Sequence, residues 1–459
     1  MAERSHEKIG IGEKLGYGVA DLSSGLYLNF FGFFLLYFFV DLGGLAPAAI
    51  GLMLFLTKLV DAVTDPMMGA IADRTRTRWG RYRPYLLWGA LPFGACGALV
   101  FAAPDLSPAM TLVWAYATYT LAMLAYTAVN VPYSGLLGVI SPSAHERASV
   151  TAYRMVFSSL AGITIGILGT TMVRELGGGD EALGILLTMS CIAAFSVFCI
   201  LTTFFTTKER IPPAPQRGSI RQDLAALVRT PPWIALAIAA ILGVLAIASR
   251  AGSALFWFKY VAQDQGTPVL LFLDRVALFY TALALGQVSG VVLGNLLQRR
   301  FEKRDIILFG GMLKVAGILA FYLFPIDAVV PQTFAQLFVG IGFGLLMVMS
   351  FSMFTDIAEF VDWKSGLQMT GLVVAASIFA VKAGIAFGSA VPGFVLDLTG
   401  FVAGEVQSET AMLGIELSFA VIPALSLVPA MIAMLFYRLD HKTIARVEAD
   451  LGIRRAENA

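Results

Sequence analysis

Long apolar runs dominate this sequence and limit what it can fold into. The hydrocarbon core of a bilayer holds no water for backbone N–H and C=O groups, so chains cross it as α-helices of about 20 residues. With 58% hydrophobic and 14% charged residues, this chain of 459 residues is too apolar for a water-soluble domain. We therefore predict an all-α membrane protein with about twelve transmembrane helices, at residues 17–40, 47–70, 85–103, 109–139, 150–172, 183–206, 232–261, 270–297, 306–325, 331–354, 369–396 and 414–437.

Basic residues follow the even-numbered spans. They are Arg74, Arg76, Arg78, Arg81 and Arg83, then Arg147, then Lys208, Arg210 and Arg217, then Arg299, Arg300, Lys303 and Arg304. Opposite connections, such as residues 41–47 and 325–331, hold no Lys or Arg. Cytoplasmic loops are enriched in these residues, so we expect both termini on the cytoplasmic side of a bacterial inner membrane.

Residues 207–230 form the longest polar connection, with Pro212, Pro213 and Pro215, and predict a cytoplasmic linker. It separates one six-helix half, residues 1–206, from a second, residues 231–440, and residues 441–459 form a cytoplasmic tail. Similar Gly and Arg patterns close the second and eighth spans, at residues 69–74 and 294–300. Repeated halves around a central solute site are typical of the major facilitator fold.

Asp61 and Asp65 lie four residues apart in the apolar second span. This spacing places both carboxylates on one helix face. A charge inside a bilayer costs several kcal/mol and marks the path of a cation, proton or polar solute. Two adjacent carboxylates can bind either a proton or a hard cation such as Na+. The alternative is a structural ion pair with Arg154 or Lys382.

Arg250 lies well inside the seventh span, with no acid within a turn or two along the sequence. Its fork of donors suits a carboxylate or sulfonate, so we expect it to face the substrate. No nucleotide-binding loop or nucleophile pattern is present, and the net charge is only +1. We expect no enzyme activity, no prosthetic group, no nucleic-acid partner and no metal apart from a transported Na+.

The string from Asp61 to Arg83, which contains Trp79-Gly80-Arg81-Tyr82-Arg83, resembles the signature of the glycoside, pentoside and hexuronide cation symporters, the family of the melibiose carrier. Further matches run along the chain, at Gly16-Tyr17-Gly18 with Asp21, Asn130 to Tyr133, Tyr153-Arg154, Asp356 to Glu359, Asp362 to Lys364, and Lys382. The resemblance implies cation-coupled import of a sugar by alternating access. It implies a cation site formed by Asp61, Asp65, Thr64 and Thr127.

Candidate substrate-binding residues combine the family positions with aromatic and polar groups that suit a sugar ring. They are Tyr27, Asn29, Tyr126, Asn130, Arg154, Arg250, Trp257 and Lys382. Acids beside basic residues at helix ends can act as latches between conformers. Candidate gating residues are Asp73, Arg74, Arg81, Arg299, Asp356 and Glu359.

Departures from the family pattern bear on the substrate and the ion. Gly25 and Asn130 stand where the melibiose branch has acids, and Ser134 and Met347 where it has tryptophans. A melibiose-like galactoside is therefore not expected. Compared with the melibiose branch, the substrate cavity has fewer acidic residues and the same basic residues. This favours an acidic sugar, a hexuronide or sulfonated hexose, ahead of a glycoside or pentoside. Thr64 replaces an asparagine and so offers a weaker oxygen, which favours H+ over Na+.

Two other functions are compatible with the same features. A lysolipid-like solute would require a cavity that opens sideways to the bilayer and is lined by apolar residues. A membrane sensor without transport would not need both aspartates and the gate charges. The expected partners are the sugar, the coupling cation and membrane lipid, and we expect a monomer.

Overall fold

A computed structural model of the chain describes residues 8–102, 104, 106–211, 227, 230–365 and 370–457. In those residues, 12 helices are long and apolar enough to cross a membrane, judged by length and composition. The predicted all-α class with twelve spans is confirmed. The helices are α1 (Ile11–Tyr37), α2 (Pro47–Arg74), α3 (Arg83–Phe101), α4 (Pro108–Val139), α5 (Ala144–Gly177), α6 (Glu181–Thr206), α7 (Pro231–Phe256), α8 (Arg275–Leu297), α9 (Lys303–Leu323), α10 (Val329–Ser365), α11 (Thr370–Leu398), α12 (Glu409–Glu416 and Ile422–Leu435) and the terminal α13 (His441–Glu457).

Local sequence explains where several helices begin. Proline occupies the first turn of α2, α4 and α7, where its missing N–H has no helical partner to lose. Ser143 caps α5 by accepting a hydrogen bond from the Glu146 N–H (3.3 Å), and Asp180 caps α6 through the Leu183 N–H (3.0 Å). Gly178 ends α5 in the left-handed region with φ of 57°.

Among the described residues, three helices contain a π-helical turn, in which the backbone widens and its regular hydrogen-bond ladder is interrupted. One such turn, Phe38–Leu42, extends α1, and another, Trp257–Val261, extends α7. The third, Leu417–Val421, joins the two parts of α12. Carbonyl groups released at such a turn need other donors, which becomes important around Arg250.

Several predicted span boundaries are wrong, because hydropathy records apolar character and does not record where a helix begins or ends. α10 continues to Ser365, so Asp356 and Glu359 lie within the helix and not after it. α1 begins at Ile11 and α5 at Ala144, both before the predicted starts. α8 begins at Arg275, because residues 270–273 form a turn.

The helices group into two compact units. The first contains Met1–Pro215 with Asp264–Thr281 and Leu396–Ser408, and the second contains Gln216–Gln263, Ala282–Val395 and Glu409–Ala459. In the second unit, a Cβ added to Gly286 would lie 2.9 Å from the Gly340 Cα, so α8 and α10 meet backbone to backbone. Residues 212–226 and 228–229 of the predicted linker lie outside the described residues. The division into residues 1–206, 207–230, 231–440 and 441–459 stays a prediction.

Candidate functional site

One face of α2 carries the two aspartates of the first unit. Asp61 is 3% exposed, and its Oδ2 lies 3.1 Å from the Lys58 ammonium, one turn earlier on the same helix. Asp65 is half-buried, and its Oδ1 accepts a hydrogen bond from the Thr127 hydroxyl of α4 at 3.0 Å. Packing of α2 on α4 therefore brings Thr127 to the acid pair. Both carboxylates have stabilising contacts within a helix apolar enough to cross a membrane, where an isolated charge would be costly.

Thr64 uses its hydroxyl within its own helix. It donates to the Val60 carbonyl at 3.0 Å, as threonines in helices often do. Among the predicted cation-site residues, the structure thus places Asp65 and Thr127 in direct contact, while Thr64 bonds to backbone. Across the described residues, no group of three or more His, Cys, Asp and Glu side chains is arranged to hold a metal ion.

Arg154 of α5 binds Asp21 of α1. The guanidinium makes two contacts with the carboxylate, one from Nε to Oδ2 and one from Nη2 to Oδ1 at 3.2 Å. The Tyr133 hydroxyl donates to the same Oδ2 at 3.1 Å, and the guanidinium lies 4.8 Å from the centre of the Tyr133 ring. We call this the Arg154–Asp21 pair. The sequence predicted that Arg154 would bind substrate or the α2 aspartates, and it left out Asp21 as a partner.

Polar side chains lie one turn from the Arg154–Asp21 pair, after Asp21 on α1 and before Tyr133 on α4. The Ser24 hydroxyl donates to Asn130 Oδ1 at 3.1 Å. The Asn130 Nδ2 group is buried and has no hydrogen-bond partner within the part of the chain that the structure describes. Asn29 donates its amide to the Gly25 carbonyl of its own helix at 2.8 Å. Asn29 therefore uses one of its two amide N–H groups within its own helix, whereas the amide nitrogen of Asn130 is buried without a partner among the described residues.

Tyr27 and Tyr126 belong to an aromatic cluster inside the first unit. The Tyr27 ring stacks on Phe93 with centroids 4.3 Å apart, and it lies 6.4 Å from the Tyr126 ring at an interplanar angle of 28°. Tyr27 is fully buried, whereas Tyr126 is partly exposed. Tyr126 is therefore the member of this cluster that is better placed to meet a sugar ring.

Arg250 and Trp257 lie in the second unit, around the π-helical turn of α12. Arg250 is 1% exposed, donates from Nη1 to the Phe419 carbonyl at 2.8 Å, and donates from Nε to Gln336 Oε1 at 3.1 Å. Its guanidinium lies 4.0 Å from the Phe419 ring centre and 4.8 Å from that of Phe321. Trp257 stacks on the same Phe419 ring at 4.9 Å.

Arg250 works together with its neighbour Ser249. The Ser249 hydroxyl donates to the Ser418 carbonyl at 2.9 Å, so two adjacent side chains of α7 bind two adjacent carbonyls of the π-helical turn. In this structure the Arg250 guanidinium thus donates hydrogen bonds to groups of the protein itself. Its predicted role in substrate binding stays a prediction.

The remaining predicted residues of the second unit lie on α10, α11 and just beyond α8. Lys382 is a partly buried residue of α11. Asp356 of α10 forms an ion pair with Lys303 at 2.6 Å, and Glu359 is partly buried one turn later. Arg299 is exposed after the end of α8.

The connection between α2 and α3 is held by a carboxylate. Glu209, after α6, accepts hydrogen bonds from the N–H groups of Arg81 (2.9 Å), Tyr82 (2.8 Å) and Arg83 (3.1 Å) at the start of α3. These N–H groups have no partner inside the helix, and the helix N-terminus favours an anion. Gly80 turns the chain toward them with φ of 109°, a conformation that side chains disfavour.

Asp73 contacts the same connection. Its carboxylate accepts a hydrogen bond from the Tyr82 hydroxyl at 2.6 Å, and its backbone carbonyl accepts one from Arg81 Nη1 at 3.4 Å. Burial, together with this hydrogen bond, raises the pKa of Tyr82, so the phenol remains a donor. Arg74 is exposed beside it. The structure therefore brings Asp73 to Arg81 and Tyr82, and the gating role of these residues stays a prediction.

Three charged residues at the site were missed from the sequence. Lys58 had a usable signal, because a spacing of i, i+3 places it on the Asp61 face. Asp21 is a charge inside a span, although nothing local points to Arg154. Glu209 has no local signal, since its partners lie 126 to 128 residues away in the sequence.

Twelve membrane-length helices among the described residues, with two carboxylates one turn apart on the second, are typical of one class, the polytopic membrane transport proteins. The chain belongs to the family described as MFS/sugar transport protein, whose model matches residues 16–441. The family resemblance inferred from the sequence is confirmed. The chain is 30% identical over 455 residues to the inner membrane symporter YicJ of Escherichia coli (strain K12), covering 98% of this chain and 97% of that protein.

Other known proteins agree with this family assignment. The chain is 30% identical over 453 residues to the isoprimeverose transporter of Lactiplantibacillus pentosus, covering 97% of this chain and 92% of that protein. A solved structure of a bacterial homologue of the human lysosomal transporter Spinster has a TM-score of 0.65 and 14% identity, and the match covers 95% of this chain and 96% of that one. At that identity the likeness shows the fold alone.

Proposed function

We propose that the protein is a cation-coupled symporter that imports a sugar derivative, namely a glycoside, pentoside or hexuronide. Membership of a sugar transport family supports this, as do relatives named as a symporter and as an isoprimeverose transporter. The observation that carries the proposal is the buried α2 face, where Asp61 contacts Lys58 and Asp65 accepts a hydrogen bond from Thr127. Carboxylates in this setting bind a coupling cation.

Coupling follows from the charge balance on α2. A cation that binds at Asp65 lowers the cost of holding two carboxylates at membrane depth. If that bound form favours the substrate-binding geometry, linkage requires the cation to bind more tightly when sugar is present. Lys58 holds a positive charge against Asp61, so the coupling cation needs to neutralise only the remaining carboxylate.

We propose H+ as the coupling ion. Na+ binds best to several oxygen ligands. Thr64 turns its hydroxyl toward the Val60 carbonyl of its own helix, whereas the Thr127 hydroxyl contacts Asp65. A proton needs only one carboxylate oxygen.

The charges around Arg154 leave both acidic and neutral sugars in the proposal. Asp21 adds an acid beside this guanidinium, so the absence of acids at Gly25 and Asn130 does not leave an excess of positive charge there. A carboxylate on the sugar therefore gains no net attraction from the Arg154–Asp21 pair.

Uptake into proteoliposomes tests the proposal. We expect isoprimeverose or 4-nitrophenyl glycosides to accumulate under an inward H+ gradient. Asp61→Asn and Asp65→Asn should lose accumulation but retain sugar exchange, because exchange does not require a net ion movement. Asp327→Asn, at an exposed loop position, is the matched control and should transport normally. Sugar accumulation by both α2 variants at the wild-type level would exclude this cation site, and absence of any flux would favour a sensor.

A further inference from the structure

We propose that Lys314 is a second proton-binding site of this protein, because its amine ends in a small cavity that suits the neutral amine and not the ammonium. The cavity lies inside the second unit, where α7, α9, α10 and α12 meet. The two acids of α2 belong to the first unit, so the inference goes beyond the proposed function. The proton binds when these four helices separate and water reaches the amine.

The side chain of Lys314 points into the middle of the helix packing. Lys314 lies halfway along α9, a helix long and apolar enough to cross a membrane, and is 1% exposed. Two glycines make room for it. A Cβ added to Gly342 of α10 would lie 2.6 Å from the Lys314 Cγ, and one added to Gly243 of α7 would lie 3.4 Å from Nζ. The aliphatic stem therefore crosses α10, and the amine ends against α7.

The surroundings of the amine hold no charge that could balance an ammonium. No hydrogen bond or ion pair joins Lys314 Nζ to another of the described residues. The described residues that line the cavity from the other three helices are not titratable, and α9 itself adds only Ile307 and Gly311. Those from α7, α10 and α12 are Ala239, Gly243, Leu346, Leu427, Ala430 and Met431.

The cavity is also too small to hydrate a charge. Its volume is about 10 Å³, which is the space of about one water molecule. A water there would have the Lys314 amine as its only side-chain partner, whereas a buried water usually makes about three hydrogen bonds. An ammonium brings several N–H donors and needs acceptors or a counter-charge. The neutral amine is thus the form that fits this packing.

Opening of the cavity is therefore linked to proton uptake. A hydrated lysine keeps its proton below about pH 10, so the open packing carries one proton more than the closed packing. By linkage, the ratio of open to closed protein rises about 10-fold for each unit by which the pH falls. The closed packing is more stable at high pH, and low pH loosens it by a route separate from the acids of α2.

NMR of purified, sugar-free protein with isotope-labelled lysine measures the protonation state directly. At about pH 8 and about pH 9, exposed lysines are ammonium groups. We expect one side-chain signal at the position of a neutral amine, and Lys314→Met should lack it. Met431→Ala enlarges the cavity for water, so in this variant the signal should move toward that of an ammonium. Lys442→Met, at an exposed position of α13, is the matched control and should retain the neutral signal.

Hydrogen exchange of the α9 amides, corrected for the intrinsic effect of pH, measures the opening. Wild-type protein and Lys442→Met should exchange about 10-fold faster at about pH 8 than at about pH 9. Lys314→Met has no group to take up the proton, so it should lose this difference. It should also melt at a higher temperature than wild-type protein, because an apolar side chain of similar size replaces a buried amine.

The inference is wrong if all lysines of wild-type protein give ammonium signals at both pH values, or if Met431→Ala leaves the neutral signal unmoved. It is also wrong if wild-type protein and Lys314→Met show the same pH dependence of exchange. Failure of Lys314→Met to fold would contradict it too, because the amine would then be a structural group. None of these measurements uses sugar or an ion gradient, so their outcome is independent of the proposed transport.

Discussion

Replacement of Arg250 by lysine tests whether this buried guanidinium stabilises the protein or serves the substrate. The substitution keeps the positive charge but removes the planar fork that reaches both the Phe419 carbonyl (2.8 Å) and Gln336 (3.1 Å). One ammonium cannot donate to both acceptors from the arginine position. We therefore expect Arg250→Lys to destabilise the sugar-free protein.

The structure sets the size of the effect. One acceptor is left buried without its donor, which costs about 1–3 kcal/mol. The contacts over the Phe419 and Phe321 rings, at 4.0 and 4.8 Å, are weakened, which adds about 0.5–2 kcal/mol. The free energy of unfolding should fall by about 2–4 kcal/mol, because these losses combine with incomplete additivity.

Thermal unfolding of detergent-solubilised protein without sugar measures this loss. Arg304→Lys is the matched control, because that side chain is 40% exposed and its pair with Asp305 contributes little. We expect a clearly lower melting temperature for Arg250→Lys and an unchanged one for the control. Unchanged stability of Arg250→Lys, combined with a loss of sugar binding, would refute this reasoning and make Arg250 a substrate ligand.

Two other predictions concern the cation site and the connection before α3. Thr127→Val should shift the ion concentration for half-maximal uptake by about 10-fold, because the Asp65 carboxylate loses a hydrogen bond. Thr64→Val should shift it little, because the Thr64 hydroxyl bonds to the Val60 carbonyl. Equal effects in the two variants would contradict these contacts. Glu209→Ala should raise hydrogen exchange at the amides of residues 81–83 by about 10-fold or more, since their acceptor is lost. Unaltered protection of these amides, read by mass spectrometry, would show that another group holds them.

The helices could be predicted from the sequence because span length and apolar character are local properties. α2 and α4 begin within a residue of the predicted positions. The length of α10 was underestimated, because Asp356, Glu359 and their neighbours continue the helix although they are polar. Hydropathy measures solvation, whereas a helix ends where its backbone hydrogen bonds end.

Sequence alone established the class of fold, the family and the acid pair on α2, since a spacing of four residues fixes two side chains on one helix face. Only the tertiary structure decided which charges meet. Arg154 reaches Asp21 across 133 residues of sequence, and Arg250 reaches Phe419 across 169. Such partners depend on how the helices pack, which local periodicity in the sequence does not predict. The energy of a buried charge is set by the group that the fold places next to it.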